Sequence, residues 1–138
     1  MERSEEAEQA VREFASVFST GDADGVDGLF STQAVRVIGT DPAEWWGPDR
    51  DDVVRRLRAQ VEVLGGQVKV EVNDPESGRV GDMAWVADQP TLRLPDGTDV
   101  PTRFTAVLRE EDGKWRFVQV HFSMGVANEE AIGEELPI

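Results

Sequence analysis

The sequence predicts an α+β fold in which N-terminal helices pack against a curved antiparallel sheet. Three observations lead there. Apolar residues recur at helical spacing only in the first half of the chain; from Val68 onward they alternate with polar ones; and strong turn sequences punctuate that second half. Helices first and strands afterwards argue for helices segregated to one face of a sheet. At 138 residues the chain has the size of one ordinary domain, and it shows no internal repeat or linker. Residues 1–138 are therefore read as a single domain, with a core over about 5–126 and an acidic tail over 127–138.

From Ser4 to Thr20, the residues Ala7, Ala10, Val11, Phe14, Val17 and Phe18 form one face of an amphipathic helix, which Gly21 ends. Asp22 is placed to cap a short second helix through Val26, Leu29 and Phe30, weakened by Gly25 and Gly28. Asp22, Asp24 and Asp27 read as helix-capping acids; they lack the ordered oxygens and terminal glutamate of a calcium loop. Val35 to Ile38 is a short strand, followed by the loop Gly39-Thr40-Asp41-Pro42. Trp45-Trp46-Gly47-Pro48 then leads to Asp49, the cap of a third helix over Arg50 to Leu64 that Gly65-Gly66 stops. Its apolar face is Val53, Leu57, Val61 and Leu64.

Val68, Val70 and Val72 alternate with Lys69 and Glu71 as a strand before the turn Asn73–Gly78. Arg79 to Ala87 reads as the next strand, with Met83, Trp85 and Ala87 on one side. Leu92 and Leu94 precede the reversal Pro95-Asp96-Gly97. Arg103 to Glu110 alternates, and Asp112-Gly113 turns it into a last strand, Lys114 to Met124.

Composition excludes several function classes. The formal net charge is −14, from 28 acidic and 14 basic side chains, so neither nucleic acid nor an anionic membrane surface is an expected partner. No apolar run reaches membrane-spanning length, and Met1-Glu2-Arg3-Ser4-Glu5-Glu6 is unlike a signal peptide; a cytoplasmic location is expected. Lys69 and Lys114 are the only lysines. Such an acidic, lysine-poor surface suits a high-salt cytoplasm, and equally an ordinary acidic protein of a high-GC genome. With no cysteine and a single histidine, neither a thiol nucleophile nor a metal site is expected. No phosphate loop or dinucleotide fingerprint implies a cofactor.

Several segments in order carry a resemblance. Phe14 with Phe18, Gly21-Asp22 ahead of Leu29-Phe30, and Ile38-Gly39-Thr40-Asp41 ahead of Glu44-Trp45-Trp46-Gly47 are followed by the closing run Gly113–Ser123. Together they resemble the SnoaL-like branch of the ketosteroid isomerase and nuclear-transport-factor-two superfamily, across about residues 5–126. The closing run is also similar to the association domain of calcium/calmodulin-dependent kinases. The resemblance implies a cone-shaped, barrel-like fold with a central cavity for a small hydrophobic molecule, and a homodimer paired through the sheets. It implies the cavity more firmly than any reaction.

Steroid-isomerase chemistry needs a carboxylate base beside a carbon acid, and donors for the developing enolate. The chain has no tyrosine to match the family's donor, and Phe14 lies in that region. Ile38 aligns with the family's base, and Asp41, three residues later, replaces it only if its loop folds inward. These departures argue against ketosteroid isomerase activity.

The only histidine, His121, shares strand parity with Trp115, Phe117, Gln119 and Ser123. That mixed face reads as cavity lining or as a semi-polar dimer surface. The expected pocket is Phe14, Phe18, Trp45, Trp46, Leu57, Trp85, Arg103, Phe117, Gln119 and His121, with Trp45 or Trp46 closing its mouth and Arg103 turned inward. His121 and Asp41 are the candidate acid–base groups. Three functions remain open on these residues. One is noncatalytic ligand binding or acid–base chemistry in the cavity. The second is an isomerase, dehydratase or hydrolase for a small hydrophobic metabolite, and the third a dimeric association domain without ligand.

Overall fold

A computed structural model describes residues 1–138. Its first helix, α1 (Glu5–Thr20), starts at Ser4, whose hydroxyl accepts the Ala7 N–H, and stops at Gly21 in the left-handed conformation. Helix α2 (Arg50–Leu64) is built the same way: Asp49 accepts the N–H groups of Asp51 and Asp52, and Gly65 is the left-handed stop. The predicted helix between them forms as two single 3₁₀ turns, Ala23–Gly25 and Asp27–Leu29. Gly25 and Gly28 each disfavour a regular helix by about 1 kcal/mol, enough to limit so short a segment to isolated turns. Arg50 secures them from α2, donating to Asp27 Oδ1 at 2.9 Å and to the carbonyl oxygens of Asp27 and Ser31 at 2.6 and 3.0 Å.

The strands are β1 (Arg36–Ile38), β2 (Trp45–Trp46), β3 (Lys69–Glu71), β4 (Glu76–Val80), β5 (Met83–Asp88), β6 (Thr91–Arg93), β7 (Asp99–Pro101), β8 (Arg103–Glu111) and β9 (Lys114–Ser123); a short helix, α3 (Asn128–Ile132), lies in the tail. What was expected as one strand over Arg79–Ala87 is folded at Gly81-Asp82 into the β4–β5 hairpin.

The α+β class holds, but the predicted cone with its strongly curved, barrel-like antiparallel sheet does not form. The strands make two open sheets, a six-stranded one in the order β2-β1-β9-β8-β5-β4 and a three-stranded one in the order β3-β6-β7. The larger sheet keeps free edges at β2 and β4 and is mixed, because β1 runs parallel to β9. The division falls where β5 passes to β6 and β7 to β8. Pro90 there has no N–H for a ladder, and its carbonyl takes both the backbone N–H and the hydroxyl of Thr102, at 3.1 and 2.5 Å. Buried Asp88 likewise accepts the N–H groups of Asn73 and Asp74 at 3.1 and 2.9 Å. Backbone groups that would continue one ladder are satisfied at the break instead.

One irregularity sets the faces of the large sheet. Val107 pairs with Gln119 but Leu108 pairs with Phe117, so Val118 is an extra residue in β9, a bulge that reverses side-chain parity. Before it, Trp115 and Phe117 point inward; after it, Val120 and Phe122 do. Phe117 is fully buried and packs on Phe14, Phe30 and Phe104, with ring centroids 5.5, 6.0 and 6.4 Å away. The N-terminus is tied to the same body through Glu8. Its buried carboxylate accepts a two-pronged bond from Arg3, at 2.9 and 2.8 Å, and the Ser77 hydroxyl at 2.6 Å.

Candidate functional site

A partly enclosed cavity of about 180 Å³ lies between the two helices and the two sheets. Helix α1 contributes Phe14 and Phe18, and α2 contributes Leu57, Gln60 and Leu64 at the spacings of one helical face. Val120 and Phe122 come from β9, beyond the bulge. Val70 and Leu92, directly paired between β3 and β6, form the opposite wall with Val68. Val37 and Ile38 of β1 and Trp46 of β2 complete the apolar lining.

Of 16 lining residues 12 are hydrophobic, and the other four, Gly39, Thr40, Glu44 and Gln60, are gathered at one end. That end is the hairpin joining β1 to β2, faced by α2. The Gly39 N–H donates to the Glu44 carbonyl at 2.9 Å, and the Glu44 N–H closes the turn on the Asp41 carbonyl at 2.9 Å. Strand alternation then puts Glu44 and Trp46 on the cavity side and Trp45 outside. The Glu44 carboxylate is braced on both oxygens. The Asp41 N–H donates to Oε1 at 2.8 Å and Gln60 Nε2 to Oε2 at 2.6 Å. The missing side chain of Gly39 makes the room: a Cβ there would lie 2.8 Å from Glu44 Cδ and 2.9 Å from its Cβ.

Among the sequence-predicted pocket residues, Phe14, Phe18, Trp46 and Leu57 are in this lining, and the others are elsewhere. Trp45 is exposed, with the Arg36 guanidinium 5.3 Å from its ring centroid. Trp85 lies on the outer sheet face, 40% exposed, its indole N–H donating to the Met1 sulfur at 3.2 Å. Arg103 and Gln119 are exposed on that same outer face, and Phe117 is core. His121 is half-buried between its strand partners Thr105 and Ile38, away from the cavity. The reason is the bulge: unbroken parity joins His121 to Phe117, whereas the extra Val118 turns the two to opposite sides. Asp41 is exposed and spends its carboxylate on the Ala43 N–H at 2.8 Å, so the loop holds Glu44, rather than Asp41, against the cavity.

Sequence reasoning missed Glu44, Gln60 and Thr40. Gln60 had a readable signal, a polar residue three after Leu57 and four before Leu64 in an apolar helical stripe. Glu44 had a weaker one, alternation with Trp46 in a segment too short to read as a strand.

The perturbed carboxylates lie outside the cavity. Glu8 is held below the ordinary carboxylate range, first by its bonds from Arg3, with the Ser77 hydroxyl adding to the effect against burial. At Glu111, burial pushes upward most, but bonds from Ser31 and from the Thr32 backbone and hydroxyl together pull it below the ordinary value. Asp27 is lowered chiefly by its bond from Arg50. No three histidine, aspartate or glutamate side chains converge to hold a metal ion, and no helix is long and apolar enough to cross a membrane.

The profile of the SnoaL-like domain matches residues 7–127. No curated protein matches the chain. Solved structures share the fold. An uncharacterised cystatin-like protein from Caulobacter vibrioides superposes with a TM-score of 0.73 at 16% identity, over 92% of each chain. A candidate dehydratase of the NTF2-like family from Streptomyces avermitilis gives 0.72 at 17% identity, over 89% of this chain and 96% of that one. A candidate calcium/calmodulin-dependent protein kinase type II association domain from Thiobacillus denitrificans gives 0.68 at 22% identity, over 86% and 94%. At these identities the likeness is one of fold.

Proposed function

Because the chain belongs to the SnoaL-like family, we propose that it is a small-molecule-binding protein whose ligand occupies the cavity between the helices and the sheets. The carrying observation is the lining itself, apolar throughout except for one polar end. Small-molecule sites have this composition: apolar walls supply affinity, and a few convergent polar groups supply orientation. Binding alone accounts for it. If an isomerase, dehydratase or hydrolase reaction also occurs, Glu44 is the titratable side chain that lines the cavity, and His121 and Asp41 are not in contact with it.

Toluene titrated by calorimetry or ligand-observed NMR tests this reading, with Leu92→Trp as the variant that fills the cavity from its β6 wall. Saturable one-to-one binding that Leu92→Trp abolishes, with folding intact by circular dichroism, is expected. No saturable binding, or equal binding by the filled variant, overturns it.

A second reading concerns assembly, and it is compatible with the first. The outer face of the six-stranded sheet carries Trp85 and Met83 at 40% and 38% exposure, and Val80 at 63%. Val80 pairs with Met83, and Val107 pairs with Trp85, so the apolar surface is continuous across β4, β5 and β8. An exposed apolar patch of this kind marks an interface, and a second copy paired sheet to sheet would cover it. Sedimentation should then report a dimer that Trp85→Glu converts to a folded monomer; a monomeric wild type removes the reading.

A further inference from the structure

We propose that the ligand is a small hydrophobic amine, one ring with a short aminoalkyl substituent in size, whose cationic nitrogen is received by the Glu44 carboxylate. The inference rests on the cavity being a small-molecule site and adds the chemistry of its ligand.

Size comes from the volume. At about 180 Å³ the cavity only slightly exceeds the roughly 150 Å³ apolar cavities that admit benzene, so it holds a single ring and little more.

Polarity comes from the arrangement at the hairpin end. Glu44 is the one charged side chain among the lining residues, and the groups that brace it, the Asp41 N–H and the Gln60 amide, are neutral. No lysine or arginine forms an ion pair with it, unlike Glu8, Asp27, Asp52 and Glu71, each of which has an arginine partner. A carboxylate that lines an otherwise apolar cavity without a counter-charge is costly to desolvate when a ligand fills that cavity. A ligand that brings the missing positive charge offsets that cost, and an anionic ligand raises it.

Geometry leaves the carboxylate free to act. Each carboxylate oxygen offers about two acceptor directions, and the two braces use one on each oxygen. The remaining directions are open to an ammonium group, which has up to three donors, and the Thr40 hydroxyl at the same end is a further acceptor. The braces also fix Glu44 before the ligand arrives, so little ordering cost is left to binding. The clearance at Gly39, where a methyl group would meet the Glu44 side chain, fits a hairpin shaped around this residue.

The test compares benzylamine, benzyl alcohol, toluene and benzoate by calorimetry on the full-length protein near neutral pH. Benzylamine should bind at least tenfold more tightly than toluene, with benzyl alcohol between them and benzoate without measurable binding. Glu44→Gln should abolish the preference for the amine, with benzylamine and toluene binding within about threefold of each other on that variant. Gln60→Leu, which removes one brace and leaves the carboxylate, should reduce the preference; it serves as the second variant if Glu44→Gln is poorly folded. The preference should also fade at a pH where the amine is neutral. Toluene binding as tightly as benzylamine, benzoate binding comparably, or an amine preference that survives Glu44→Gln overturns the proposal while leaving the cavity reading intact. Failure of all four probes to bind overturns both.

Discussion

Deleting Val118 tests the reasoning that decides which residues of β9 face the cavity. Val118 is the extra residue, so removing it leaves Phe117 inward, Gln119 outward and Val120 inward, and β8 and β9 can pair in unbroken register with both faces kept. The loss is then limited to the half-buried Val118 side chain, about 1.5 kcal/mol or less. If β9 instead alternated strictly through Val118, the same deletion would exchange the faces on one side of the cut, and either Trp115 and Phe117 or Val120 and Phe122 would change sides. Val120 is 1% exposed, Phe117 is fully buried and Trp115 is 5% exposed. Each such side chain contributes about 1.5–3 kcal/mol by burial, so that exchange would cost about 3–6 kcal/mol. A domain of this kind has about 5–15 kcal/mol in total. Val118→Ala is the matched control: it keeps the residue count and trims the same side chain. With a urea slope of about 1–3 kcal/mol/M, the deletion variant should unfold within about 0.5 M of that control. A midpoint about 1 M or more below the control refutes the assignment of inward and outward faces.

Three other outcomes follow from the same geometry. His121→Ala should leave toluene affinity unchanged within twofold by calorimetry, because the imidazole lies on the outer sheet face; a tenfold loss contradicts that placement. Gly39→Ala should push the Glu44 side chain from its braced position, with loss of any discrimination between benzylamine and toluene while the circular-dichroism spectrum is retained; unchanged discrimination removes the argument from clearance. Glu8→Gln should destabilise the protein by about 1–3 kcal/mol at neutral pH through the weakened bonds to Arg3 and Ser77. The Glu8 carboxyl is a stronger acid folded than unfolded, so its stabilisation is complete above the unfolded-state value and lost as pH falls through the lower folded value. Urea midpoints should therefore converge for variant and wild type at low pH, and a constant gap across the acid range rules out this linkage.

The helices were legible because their signals are local. Ser4, Gly21, Asp49 and Gly65 terminate helical spacing within a few residues, and the observed ends agree with them. The same kind of local reasoning failed between Ala23 and Leu29, where the two glycines outweigh the capping aspartates. It failed again at Gly81-Asp82, a turn inside a run that otherwise alternates like one strand. Pairing was less readable still. The parallel contact of β1 with β9 joins residues about eighty positions apart, and no feature of either strand names the other. The split into two sheets depends on Pro90, Asp88 and Thr102 satisfying backbone groups across a gap in the sequence.

The bulge had the largest consequence for function, and it was hidden for a physical reason: Val118 is a good strand residue and looks like its neighbours. Strict alternation makes the cavity wall a mixture of aromatic and polar groups with an imidazole at its centre. With one residue inserted, that wall becomes Val120 and Phe122, and the polar character of the cavity moves to the β1–β2 hairpin. This changes the ligand chemistry as well as the location. An imidazole can donate or accept and is near neutral at physiological pH, which leaves ligand charge unconstrained. A carboxylate accepts only, and one without an ionic partner selects for positive charge. The preference for an amine thus depends on the strand irregularity that removes His121 from the lining, and on the hairpin that supplies Glu44 in its place.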